Sequence, residues 1–206
     1  NNHIAVIGAD GTIAAHFSAG TVDLDGIDTE KDGKLDFTGS LRGVPREPDT
    51  VAWLDNDHFA TANEGDYKGG SRGFTIWKRD GSVVYDSGPD FEHALIRIGH
   101  YPEHRSGKKG VEPEALKYAE FDGQKLLFVG SERGNAIGVY DVANPAQPKL
   151  LQILPSGIAP EGLVAIPARN LMASANEADL VEDGGARAHV MLYERAEGKA
   201  AYPTLV

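Results

Sequence analysis

Eight carboxylates recur in this chain at matched places: Glu47, Asp49, Glu64, Glu112, Glu114, Glu132, Glu161 and Glu177. Three stretches carry them. Arg46-Glu47-Pro48-Asp49 leads through an apolar run to Thr61-Ala62-Asn63-Glu64-Gly65-Asp66. Gly110-Val111-Glu112-Pro113-Glu114 leads to Gly130-Ser131-Glu132-Arg133-Gly134, and Ala159-Pro160-Glu161-Gly162-Leu163 leads to Ser174-Ala175-Asn176-Glu177-Ala178-Asp179. Carboxylates gathered in one place repel one another unless protons, basic side chains or a cation neutralise them. Oxygen-only ligation suits a hard ion, Ca²⁺ first and Mg²⁺ second. Such an ion polarises a phosphate or carboxylate group and activates water beside it. The candidate metal ligands are Glu47, Asp49, Glu64, Glu114, Glu161 and Glu177. The candidate catalytic groups are Glu112, Glu132, Arg133 and His100, with Arg72, Arg105 and Lys109 as candidate contacts to an anionic substrate. The same pattern also fits a structural role, because an acid after a strand entry accepts backbone N–H groups between neighbouring units.

The elements that would position these acids read as hairpins. In each stretch the acid beside a proline is followed by a strand, a tight turn, a second strand and then a Glu. The start of the first strand lies beside the end of the second in an antiparallel hairpin. Glu112 and Glu114 are therefore expected beside Glu132, Glu47 and Asp49 beside Glu64 and Asp66, and Glu161 beside Glu177. Pro48, Pro113 and Pro160 are 65 and 47 residues apart. Setting aside a polar, His-rich excursion over 89–109, read as an inserted loop, brings both spacings to the mid-forties. That is the size of one four-stranded propeller blade. The units run over about 1–45, 46–88, 110–155 and 157–206, the last without a convincing fourth strand. The expectation is an all-β chain of four-stranded antiparallel blades, covering three to four blades of a larger propeller and placing a ring of carboxylates at one mouth.

Strand signals are explicit elsewhere too. Runs over 3–8 and 12–17 flank Asp10-Gly11, a hairpin turn pair. Residues 21–39 are crowded with Asp23, Asp25, Asp28, Glu30, Asp32 and Asp36. Positions 28, 30, 32, 33 and 35 match a calcium loop, but the twelfth position is Gly39 where a bidentate Glu is required. A solvated acidic turn is the simpler reading. Trp53 and Trp77 occupy strand positions and are expected in the core.

Composition narrows the partners. With 31 acidic against 20 basic residues the formal charge is -11, which repels nucleic acid and anionic membrane. No cysteine is present, so disulfides, thiolate zinc sites and a cysteine nucleophile are excluded. No apolar run reaches the length of a membrane helix, and the first residues do not read as a signal peptide; for an exported protein the signal is expected to have been removed. There is no Gly-rich phosphate loop, dinucleotide fingerprint or Gly-x-Ser-x-Gly motif.

Taken with Gly99-His100-Tyr101-Pro102 and the late Tyr202-Pro203, these motifs resemble bacterial exported propellers of the "esterase-like activity of phytase" group. That group is related to the choice-of-anchor I domains, often labelled alkaline-phosphatase-like. The resemblance spans about residues 20 to 206. It implies a YVTN/quinoprotein-like propeller, seven-bladed when whole, in a secreted, periplasmic or surface-anchored protein. It also implies phosphoric ester hydrolysis; joined to the carboxylate reading, the expectation is a metal-dependent phosphoric ester hydrolase acting on a small phosphorylated substrate. The alternative is a non-catalytic extracellular propeller for binding, adhesion or scaffolding.

Overall fold

The computed structural model describes residues 2–196 and is all-β apart from one helix and short turns. Strands β1 (His3–Ile7) and β2 (Ile13–Ser18) form one hairpin, and β3 (Thr21–Ile27) and β4 (Gly39–Pro45) another. Strands β5 (Val51–Trp53), β6 (His58–Ala62), β7 (Phe74–Lys78) and β8 (Val83–Asp86) make a four-stranded antiparallel sheet in chain order. Strands β9 (Pro113–Phe121), β10 (Gln124–Ser131), β11 (Ala136–Asp141) and β12 (Lys149–Pro155) make a second. Strands β13 (Pro160–Ile166), β14 (Leu171–Asn176) and β15 (His189–Glu194) form a three-stranded sheet. No sheet closes into a barrel among the described residues.

The units over 46–88 and 110–155 are therefore single four-stranded sheets, and the unit from 157 shows three strands. Residues 1–45 differ, forming two separate hairpins. The turn between β9 and β10 has the chemistry its geometry demands: Asp122 and Gly123 both take positive φ, 49° and 78°, as a two-residue hairpin loop matching the strand twist requires.

The sheets stack because β5–β8 and β9–β12 each carry apolar side chains on both faces. Phe17 and Ile4 of the first hairpin cover Phe59 and Trp77. On the opposite face of that sheet Ala60, Ala62, Phe74 and Ile76 meet Leu116, Leu127, Val129 and Tyr140. The far face of β9–β12, with Phe121, Leu126, Phe128 and Val139, meets Leu163, Ala165, Met172 and Tyr193. Trp77 is buried as expected, whereas Trp53 is exposed, at 46 %: it ends the short strand β5 and only leans its ring on Phe59, 5.2 Å between centroids. First strands consequently lie side by side, β9 touching both β5 and β13.

Two segments depart from the sequence reading. The acid-rich stretch 21–39 is not all turn: Thr21–Ile27 form a strand, where Asp23 and Asp25 alternate with Val22 and Leu24, and Leu24 is fully buried. The excursion over 89–109 is not all loop. It contains α1 (Asp90–Arg97), which drives Phe91 and Leu95 into the core between sheets and ends at Gly99 with positive φ. In the acidic stretch Asp28 accepts the amides of Glu30 and Asp36, and Asp32 that of Lys34. These acids bind their own loop, and none belongs to a convergent group of metal-ligating side chains among the described residues.

Candidate functional site

One local device repeats at the start of β9 and β13 and just before β5. A residue with positive φ, Glu47 (47°), Glu112 (47°) or Ala159 (56°), precedes the proline, and an acid follows it. Few non-glycine residues adopt this conformation, and a residue before proline favours extended backbone. The reversed carbonyl it produces accepts an amide from the end of the next strand. Glu132 N donates to Glu112 O at 2.9 Å, Glu177 N to Ala159 O at 2.9 Å and Gly65 N to Glu47 O at 3.2 Å. In two units the strand pairing also slips by one residue. Pro113 and Ala115 pair with Ser131 and Gly130, leaving Glu114 as the extra residue; Pro160 and Gly162 pair with Asn176 and Ala175, leaving Glu161. A bulge of this kind re-aims the side chain it carries.

The carboxylates converge as a result. Oxygens of Asp49, Glu64 and Glu114 lie within 4.8 Å of one another, as do those of Glu64, Glu112 and Glu132, and those of Glu114, Glu132 and Glu161. Burial, together with the charges of Glu132, Glu64 and Glu161, pushes the Glu114 carboxyl up to about 8. Burial and the neighbouring Glu112 push Glu132 up to about 7, against the opposing charge of Arg133. Glu161 is raised by desolvation and by Glu177 beside it. Oxygen Oε2 of Glu114 is buried without a hydrogen-bond partner.

The basic residues gather on one side of this cluster. Glu112, 0 % exposed, is held by Arg105, by Arg133 at 3.2 Å and by Lys109 at 3.7 Å. Arg133 also reaches Glu132 at 2.6 Å, and Lys109 reaches Glu64 at 2.7 Å. Burial acts to lower the Lys109 pKa, but Glu64, Glu112 and Asp66 together raise it. The group around Glu112 is thus neutralised by protein cations. No ion pair with Asp49, Glu114 or Glu161 is found among the described residues.

Four candidates lie outside this convergence. Glu47 turns into its own loop, where its carboxylate accepts the amides of Asp66, Tyr67 and Lys68 at 3.0, 2.8 and 2.9 Å. Burial would raise its pKa, yet these N–H groups hold it below the usual carboxylate value. Arg72 is sealed in the interior against Glu92 at 3.1 Å, closed off from a substrate. His100 uses Nδ1 on the Gly134 carbonyl at 2.8 Å, fixing the loop after Arg133. Glu177 meets Glu161 from the neighbouring strand. The buried Glu92 was not anticipated from the sequence. Its signal was a charged residue on the same helical face as Phe91 and Leu95.

A cleft of about 930 Å³ opens between β9–β12 and β13–β15, lined by Phe121, Phe128, Met172, Tyr193 and Arg195. It sits at the turn end of β9, away from the carboxylates, and its Arg195 is engaged by Asp122 at 2.9 Å. The Tyr202-Pro203 motif lies outside the described residues. No helix among those residues is long and apolar enough to cross a membrane.

No curated protein matches the sequence. Among solved structures, a functionally unknown protein from Desulfotomaculum acetoxidans DSM 771 is similar over 70 % of this chain, at 16 % identity and a TM-score of 0.43; the chain spans 39 % of that protein's length. A family model described as Choice-of-anchor I domain matches residues 67–145, so the segment from the loop after β6 to the loop after β11, with α1 and Lys109 to Arg133 inside it, is similar to that domain.

Proposed function

We propose that the carboxylates of Asp49, Glu64, Glu114, Glu132 and Glu161 form a divalent-cation site, Ca²⁺ first and Mg²⁺ second, at one mouth of a propeller. In the fuller reading the chain is part of an exported, phytase-like phosphoric ester hydrolase. The observation that carries the cation reading is the state of Glu114: it sits within 4.8 Å of two carboxylate groups on either side, with one oxygen buried and unpartnered. A proton or a cation must compensate such a position. The donors are all oxygens from three successive units, which fits a hard ion that accepts irregular, oxygen-rich coordination.

A bound ion supplies charge compensation and polarises a phosphoryl oxygen. Glu114, Glu132 and Glu161 would hold it. Arg133, whose side chain is 39 % exposed while paired to Glu112 and Glu132, would present its outer N–H groups to the phosphate, and Lys109, which shares Glu112 with it, would add positive charge. The stacked four-stranded antiparallel sheets and the likeness to a Choice-of-anchor I domain support the propeller and the surface or exported setting. Calcium titration by calorimetry, followed by hydrolysis of an aryl phosphate and of phytate by the same sample, tests both steps. Saturable binding with Ca²⁺-dependent turnover is expected; binding without turnover sinks the hydrolase, and no binding sinks the site.

One observation favours a second reading, that of a non-catalytic binding or scaffolding module. Glu47 and Glu112, from the same recurrent motif, are engaged in holding a loop and joining sheets. On that reading the remaining acids are structural too, and their neutralisation alters stability and no ligand affinity.

A further inference from the structure

Arg72 and Glu92 form an ion pair sealed from solvent, with side chains 1 % and 0 % exposed. Arg72 Nη1 donates to Glu92 Oε1 at 3.1 Å and to the Asp28 carbonyl at 3.0 Å, and Nη2 donates to the Ser106 carbonyl at 2.6 Å. Glu92 Oε2 accepts the Val111 amide at 3.2 Å. Gly110 passes so close that a Cβ there would lie 1.9 Å from Glu92 Oε2. One buried pair thereby grips the chain at Ser106 and again at Val111. The strap between and beside these points, residues 105–112, carries Arg105, Lys109 and Glu112. These groups join Glu64 of the β5–β8 unit to Arg133 of the β9–β12 unit.

Sealing two charges away from water costs several kcal/mol per ion, and a buried pair is often no more stabilising than apolar side chains of the same volume. Stability alone therefore gives weak reason for a pair here. Its hydrogen bonds give a better one, because they fix backbone atoms of a segment that has no strand partner of its own.

We propose that the Arg72–Glu92 pair positions the 105–112 strap, and that by fixing Arg105, Lys109 and Glu112 against Glu64 and Glu132 it sets the affinity of the carboxylate mouth for a divalent cation. The affinity clause rests on the cation reading above; the positioning clause stands without it. Arg72 and Glu92 touch no ligand and act through the strap.

The test replaces both partners at once, Arg72→Met with Glu92→Met, in the full chain. Thermal midpoint, amide hydrogen exchange over 105–112 and calorimetric Ca²⁺ affinity are measured. The midpoint is expected to fall, because apolar replacement of the charges is itself often neutral but leaves the Asp28 and Ser106 carbonyls and the Val111 amide without these partners. Strap amides are expected to exchange faster by about tenfold or more, and Ca²⁺ affinity to fall by about tenfold or more, as for other supports of metal ligands. Unchanged exchange and affinity overturn the proposal, whatever the midpoint. If the double variant does not fold, Arg72→Lys decides: it keeps the charge but loses the fork that reaches Asp28 and Ser106. It should speed strap exchange several-fold, and unchanged exchange overturns the positioning role. If the wild type takes no Ca²⁺, the cation reading fails, while the exchange measurement still decides whether the pair holds the strap.

Discussion

Glu114 and Glu161 are the same position in successive sheets: each follows a proline and a residue of positive φ, and each is the extra residue of a bulge in its first strand. Their carboxylates lie within 4.8 Å of one another and of Glu132. Adjacent first strands run side by side, so a side chain re-aimed in the same way in two units arrives at one place.

Glu114→Gln should remove Ca²⁺ binding and leave the thermal midpoint unchanged or slightly raised, because it removes like-charge repulsion; Glu132→Gln should also remove binding, with a small stability loss because Arg133 gives up one of its two partners. Glu112→Gln should behave differently. It strips the counter-charge from Arg105, Arg133 and Lys109 around a fully buried carboxylate, at a cost of about 3–5 kcal/mol. Paired calorimetric titrations and urea melts separate the two classes; equal stability loss in all three would assign the whole cluster to structure.

The carboxylate cluster also predicts a pH profile. Glu114 and Glu132 titrate near 8 and 7 in the folded chain, above the ordinary 4.5. Between about pH 4.5 and 8 the folded state holds more protons than the unfolded one, so stability of the metal-free protein falls as pH rises through that window. A melting temperature at pH 5.5 above that at pH 8.5 is expected without cation. Glu114→Gln should flatten the slope, and saturating Ca²⁺ should reduce or reverse it.

Glu47→Gln tests the other fate of the motif. The substitution keeps the shape but weakens the acceptor for three loop amides, costing about 1–3 kcal/mol. Amide exchange of Asp66, Tyr67 and Lys68 should accelerate ahead of the rest of the chain. Uniform acceleration would mean that the carboxylate does not hold that loop.

The stacking order can be checked by truncation. Leu127 is fully buried between β5–β8 and β9–β12, and Leu127→Ala should cost about 2–5 kcal/mol in a denaturant melt. Leu192, 67 % exposed on the outer face of the last sheet, should change stability by under about 0.5 kcal/mol on the same substitution.

The sequence alone determined the all-β class, the hairpin boundaries and the pairing of acids at strand starts with acids at strand ends. These follow from short-range rules: side-chain alternation, turn residues such as Asp122-Gly123, and the antiparallel return of a hairpin that sets Glu114 beside Glu132. It also carried less obvious signals, the Val22-Asp23-Leu24-Asp25 alternation and the Phe91–Leu95 stripe, which charge and histidine content masked. Tertiary structure decided the fate of each acid. Glu47 and Glu112 occupy the same place before a proline, yet one accepts loop amides and the other sits among three cations. That difference depends on which distant segment packs nearby, the 65–70 loop for Glu47 and the 105–109 strap for Glu112. Likewise nothing local marks Arg72 as buried, because its partner Glu92 lies on a helix twenty residues on. Spacing along the chain fixes which groups a hairpin brings together, while burial and counter-charge come from contacts between units, and these set whether a carboxylate is a hydrogen-bond acceptor, an ion-pair partner or a free ligand.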